Sequence, residues 1–373
     1  MKKCILFLFF IIASIFCLCF ICFGNDIHKD IASSVDGELS NFMDSLPNDI
    51  SSLFPTDPLN SNNIINEKSI IDYIISYIFS GVDNVARSFV SIFTLIIVTC
   101  ALSSICNSLS NSALNNAFKL CSTLCFSITI FHSCVGLAEL TSAYIKTLCR
   151  VMNAFLPLMS TMGIMSGAIS STTTNCAISV LAITLVEGFL VVCLMPLVKS
   201  CLTISMVKPI GGCNLSGISK TIKTAFTSVS VFVMSILFFL LSAKNVLAQG
   251  NDSLSIKTAR FAISSFVPIV GASINDALRT VSSSLGVIKS TCGIIAIIAI
   301  ALLMVPIIIH LLLYKLSFGF LGSVCKALNC SSEGEILEEA DSLCGFMLVL
   351  VACTCVMFIF ALTIFINTAV GVA

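Results

Sequence analysis

The sequence predicts an all-α, polytopic transmembrane helical bundle, and three observations predict it. Apolar residues make up 57% of the chain and charged residues only 10%, whereas a soluble domain carries roughly 25% charged residues to cover its surface. The mean hydropathy is +1.07. Six runs, at 89–106, 120–140, 176–198, 224–243, 292–314 and 343–366, are each close to the ~20 mostly apolar residues that a helix needs to cross the hydrocarbon core. Lipid, rather than charge, covers the surface of such a chain.

The chain divides into three parts. Lys2 and Lys3 precede an unbroken apolar run at 4–23, followed by Gly24, Asn25 and Asp26. A charged start and an apolar run describe a signal peptide over 1–23. The run exceeds the usual ~7–15 residues of such a segment and no A-x-A site closes it, so a retained signal anchor is the alternative. Residues 24–88 form a polar, acidic segment that follows a signal and is therefore extracytoplasmic. Pro47, Pro55 and Pro58 mark a loop or linker there. Ile71, Ile74, Ile75, Ile78, Val82 and Val85 then recur at helical spacing, which predicts an amphipathic helix lying in the membrane interface. Residues 89–373 form the multi-pass domain.

Two further runs, 151–165 and 261–278, are short or carry polar residues, and each contains a proline. Such segments are candidates for re-entrant or broken helices. Lys199, Lys208, Lys220 and Lys223 lie in a stretch free of acids, which the positive-inside rule places in the cytoplasm. Six crossings satisfy this and leave the C-terminus outside. Seven, with 261–278 spanning, put the acids Glu333, Glu335, Glu338, Glu339 and Asp341 outside. Eight put the lysines outside, against the rule.

The halves 120–198 and 224–314 carry a candidate internal repeat, offset by about 110 residues. Phe155-Leu156-Pro157-Leu158 recurs as Phe266-Val267-Pro268-Ile269, with Arg150 and Arg260 before them. Hydroxyl-rich runs follow, Ser170 to Thr174 and Ser282 to Ser284, and then a long apolar helix with Pro196 or Pro306 near its end. The expectation is two Pro-interrupted half-helices. A proline removes one backbone donor and frees a carbonyl, which in lipid must find a partner inside the protein; nearby Ser and Thr hydroxyls are short enough to serve. Paired units of this kind build midplane sites in many transporters. Ordinary membrane-helix proline usage is the plainer account.

Few residues carry chemistry. Glu187 stands in the middle of 176–198, where an acid costs about 3 kcal/mol on insertion scales. It is either an ion- or proton-linked residue or a structural one paired across a helix contact, with His132 and His310 as candidate partners. Asp276, between Arg260 and Arg279, either pairs with one of them or caps a short helix. The 20 cysteines avoid the polar segment and fall mostly in apolar runs such as those holding Cys121, Cys134, Cys292 and Cys353, where a thiol acts as a small hydrophobe. No histidine has a second ligand at metal spacing, so no metal or cofactor is expected. Net charge is zero, which supplies no basic field for nucleic acid. No phosphate loop, zinc protease motif or serine elbow occurs, and no catalytic residue is assigned. Gly163, Gly167, Gly271, Gly319 and Gly322 allow close helix approach.

The block Thr258-Ala259-Arg260-Phe261-Ala262-Ile263-Ser264-Ser265-Phe266-Val267-Pro268-Ile269-Val270-Gly271, continued by Ile274-Asn275-Asp276-Ala277-Leu278 and a long apolar helix to Pro306 and Tyr314-Lys315-Leu316, resembles the stage III sporulation protein AE family. The order of parts also fits, a signal-like N-terminus, a polar acidic segment and then several spans, and the resemblance covers most of the chain from about Ile70 onward. The resemblance implies a multi-pass protein of the mother-cell membrane around the forespore. It also implies a place in a channel or secretion-like complex with other stage III sporulation membrane proteins and a separate ATPase. The alternative from the residues alone is a secondary transporter or permease built on the paired broken helices and Glu187.

Overall fold

The computed structural model describes residues 29–54, 67–108, 112–165, 169–211, 217–218, 220–239, 271–328 and 330–368. The apolar run at 4–23, Arg260, Pro268 and most of 261–278 lie outside the described residues. Asp276 falls in a helix, but its side chain is outside them too.

Every described element is a helix. In chain order they are α1 (Lys29–Ser45), α2 (Asn48–Ser51), α3 (Glu67–Ser108), α4 (Ser112–Met165), α5 (Ile169–Leu185), α6 (Val192–Gly211), α7 (Lys220–Phe239), α8 (Gly271–Ala327) and α9 (Ser331–Thr368). A π-helical turn, Val186–Val191, joins α5 to α6 into one rod. Among the described residues, six helical stretches are long and apolar enough to cross a membrane. Helices α3, α4 and α8 have 42, 54 and 57 residues. At 1.5 Å per residue they run about 60–85 Å, twice or more the ~30 Å hydrocarbon core.

Small residues set the tightest contact, the antiparallel hairpin of α8 and α9. A side chain on Gly293 would overlap Ile366, and Gly319, Gly322 and Gly345 face Asp341, Leu337 and Lys315. Without Cβ atoms the backbones approach closely, which is how membrane helices gain packing. Helix α4 runs parallel to α9: Thr123 meets Glu333, Thr141 meets Met347, and Phe155 meets Phe365. Helix α7 also parallels α9, through Lys223 with Glu339, Phe226 with Phe346 and Phe238 with Phe360. Helix α3 parallels α8, through Gly81 with His310 and Ser88 with Tyr314.

These registers place the elements in depth. The charge-free stretches of α8 (290–314) and α9 (342–366) lie side by side and are each about 37 Å long. Helix α7 lies alongside the same band. The α3–α4 hairpin is shifted along its axis relative to them. The run 89–106 begins beside Phe320, beyond the Lys315–Asp341 ion pair, and exposes Ile97, Val98 and Ile105. The amphipathic stretch expected at the interface is the first half of α3. It buries Tyr73 and Val85 and leaves Ile71, Ile75 and Phe79 exposed.

The acidic N-terminal segment is not all linker. Leu39, Phe42, Leu46 and Ile50 are buried, at the three- and four-residue spacing of one helix face. Phe42 packs edge-on against Phe155 at 5.1 Å, and Phe155 in turn against Phe365 at 6.3 Å. Tyr77 of α3 donates a 2.9 Å hydrogen bond to the Asp49 carboxylate of the short α2 turn. Phe155 is thus the centre where α1, α4 and α9 meet.

Candidate functional site at the charged end of the bundle

The acids of α9 crowd its first turns, where the helix dipole favours negative charge. Lysines converge on them from two other helices. Lys223 of α7 pairs with Glu339 at 2.9 Å and donates to the Ser342 hydroxyl at 3.0 Å. Lys315 of α8 pairs with Asp341 at 2.8 Å and donates to its carbonyl at 3.3 Å. Lys326 of α8 pairs with Glu338. Glu333 is buried and accepts a 3.1 Å bond from Thr123 of α4. The network fastens α4, α7, α8 and α9 together at one end of the molecule.

A cleft of about 800 Å³ opens there, lined by Lys220, Lys223, Glu335, Glu338, Glu339 and Phe346 among others. Its lining mixes two lysines with three acids, with Lys223 and Glu339 paired across it, so it offers mixed polarity rather than a field of one sign. Among the described residues no three His, Cys, Asp or Glu side chains gather as a metal site.

The network also bears on topology. Lys223 and Glu339 touch, so the lysine stretch and the acidic stretch lie at the same end of the bundle. Helix α7 leaves that end and reaches Phe360, and α8 returns from beside Ile366. That arrangement fits six crossings and not the seven-crossing alternative, which separates the two stretches. The run 151–165 is the second half of α4, continuous with the span before it.

The residues singled out in the sequence stand apart from this cleft. Glu187 lies in the π-helical turn, exposed, within electrostatic reach of buried Cys149. Among the described residues it makes no ion pair or hydrogen bond with His132 or His310. His132 is exposed on α4, and His310 packs near Gly81 and Tyr314. Pro157 and Pro306 lie inside continuous helices, and Pro196 inside α6. Next to Pro157, Ser160 and Thr161 donate to the carbonyls of Leu156 and Pro157 at 3.0 and 3.1 Å. Gly163 lets α5 fold back on α4, because any side chain there would overlap Thr172. The cysteines are free thiols among the described residues. Cys134, Cys149, Cys201, Cys292, Cys325, Cys344 and Cys355 are buried.

Sequence reasoning missed Lys289. It is 1% exposed, with its ammonium 3.8 Å from the centre of the Phe365 ring, a cation–π geometry. The available signal was a lone lysine opening the apolar run of α8. The acids of α9 were legible as a group, but their lysine partners were not.

No curated protein and no solved structure matches the chain. A family model described as stage III sporulation protein AE matches residues 52–369. That match takes in all the helices from α3 to α9 and the whole charged network. The chain belongs to the stage III sporulation protein AE family.

Proposed function

We propose that this protein is a non-enzymatic membrane core component of a channel or secretion-like complex that links mother cell and forespore and that forespore development requires. The observation that carries the reading is the family match over residues 52–369, joined to six helices apolar enough to span a bilayer. In this reading the protein resides in the mother-cell membrane around the forespore. It works with other stage III sporulation membrane proteins and with a separate ATPase, because its own sequence carries no phosphate-binding loop. The charged end, rich in lysine, faces the cytoplasm by the positive-inside rule.

Deleting the gene in an endospore former tests this. Heat-resistant spore counts should fall by orders of magnitude, with arrest after engulfment, and a copy in trans should restore them. Normal counts in the deletion strain would refute the proposal.

One observation favours a second reading, a secondary transporter. Glu187 sits in a π-helical turn midway along a long apolar rod, and such turns occur often at functional sites. Purified protein in liposomes should then move solute down an imposed ion gradient, and Glu187→Gln should abolish the flux. Absence of flux at any gradient removes this reading.

A further inference from the structure

Helix α4 carries a stripe of exposed residues at alternating four- and three-residue steps: Glu139, Ala143, Lys146, Arg150, Asn153 and Pro157. These steps keep one line along a helix. The opposite face of α4 is core, with Ala138, Ile145, Leu148, Met152 and Phe155 at 0–1% exposure.

Depth sets the stripe apart from the exposed faces of α7, α8 and α9; α3 likewise exposes Asp72 and the Asp83–Arg87 pair beside the charge-free stretch of α8. Thr141 meets Met347 and Phe155 meets Phe365. Lys146 and Arg150 therefore stand beside α9 between those two levels, where α9 holds no charged residue. Met347 is six residues beyond Asp341, about 9 Å, and Lys146 is about 8 Å farther along α4 than Thr141. Lys146 thus lies near the middle of the apolar band, roughly 16 Å from the Lys315–Asp341 level. A lysine head reaches only partway over such a distance by snorkelling. Among the described residues, Glu139, Lys146 and Arg150 form no ion pair or hydrogen bond. Two charges, Lys146 and Arg150, on one exposed face at this depth are incompatible with lipid, with Glu139 nearer the charged end, and intramembrane charges of this kind face a bundle interior or a water-filled cavity.

We infer that the Glu139–Lys146–Arg150 face of α4 lines a water-filled path through the apolar core of the membrane. The inference rests on the proposed function in one respect: further subunits of the complex close the path, since one convex helix face cannot. The hairpin shift described above is what brings this charged section of α4 to the depth at which α7, α8 and α9 are apolar.

Thiol accessibility tests the inference in membranes of sporulating cells that make the full chain with its neighbours. Ala143→Cys and Asn153→Cys place a small thiol on the stripe. Val192→Cys and Phe232→Cys place one on exposed apolar positions of α6 and α7, 65% and 66% exposed, with Phe232 between the Phe346 and Phe360 levels of α9. The parent chain supplies the background from native thiols. A charged, membrane-impermeant thiol reagent should modify both stripe positions at least tenfold faster than both controls, because the thiolate forms only where water reaches. Stripe positions no faster than the controls overturn the inference, whether lipid or a dry partner surface covers them. The four positions are exposed in the structure, so each variant should accumulate normally, and either stripe position alone decides. Slow stripe labelling with a sporulation-defective deletion strain defeats only this inference. A deletion strain that sporulates normally defeats the proposed function whatever the labelling shows.

Discussion

Reversing the sign of Lys223 measures how firmly the charged network ties α7 to the α8–α9 hairpin. The Lys223 and Glu339 side chains are each 16% exposed and their charged atoms are 2.9 Å apart. Exposed ion pairs contribute about 0.2–1 kcal/mol, and breaking a fully buried pair costs about 3–5 kcal/mol. This pair lies between those limits, so Lys223→Glu should cost about 1–3 kcal/mol. The new acid would also face Glu335 and Glu338 across the cleft.

The buried thiols provide the assay. Cys134, Cys344 and Cys355 are 0–5% exposed, so a fluorogenic maleimide reports unfolding as they emerge. Lys223→Glu should lower the midpoint by several degrees, since one kcal/mol shifts a domain of some 200 residues by about 2–4 °C. The double variant Lys223→Glu/Glu339→Lys should recover most of the loss, a coupling that only a direct contact produces. Lys326→Glu is the internal control. Its pair with Glu338 is more than half exposed, and its loss should stay under about 1 kcal/mol. A double variant no better than the sum of its singles would refute the contact, and with it the placement of the lysine and acidic stretches at one end.

Other perturbations follow from the packing. Phe155→Ala removes the ring between Phe42 and Phe365 and should cost about 3–5 kcal/mol in the same thermal assay; a loss under 1 kcal/mol would show that α1 does not dock on α4. Gly163→Val should lower accumulation in the membrane by overpacking against Thr172, at about 1–3 kcal/mol, while Gly188→Ala, with open space around its position, should leave the midpoint unchanged. Glu187→Gln should also leave the midpoint unchanged, because the side chain is exposed and has no described partner; a drop of several degrees would reveal a pairing within the chain. Reporter fusions in the loops near Ile218 and Cys330 should read the same side of the membrane, with the C-terminus opposite, and a split between the two loops would contradict six crossings.

The sequence reads well where an apolar run ends at a charge that the fold also uses. The run of α8 stops at Lys315 and that of α9 starts after Asp341, and the structure pairs these two residues. Their depth was legible because transfer free energy alone sets it. The first two runs show where that logic ends. At 89–106 and 120–140 the apolar content is high enough to span, yet Ser88 bonds Tyr314 and Thr123 bonds Glu333, and these contacts slide the hairpin past the band shared by α7, α8 and α9. Tertiary register overrides composition here, and no single-sequence window contains it. The lysine partners of the α9 acids were hidden for the same reason, since Lys223 and Glu339 are far apart in the chain. The docking of α1 was available in principle: Leu39, Phe42, Leu46 and Ile50 have helical spacing, but the acids between them mask it in a count of charge. The run around Pro157, a candidate broken helix from its sequence, is continuous within α4, while its counterpart around Pro268 lies outside the described residues. The consequence of the hairpin shift is physical rather than descriptive. It takes the charged half of α4 out of the aqueous phase, where composition alone would leave it, and sets Lys146 near the centre of the apolar band. A fold that accepts that cost must give that face polar surroundings, either a partner's interior or water, and the thiol-labelling contrast between stripe and control positions separates the two.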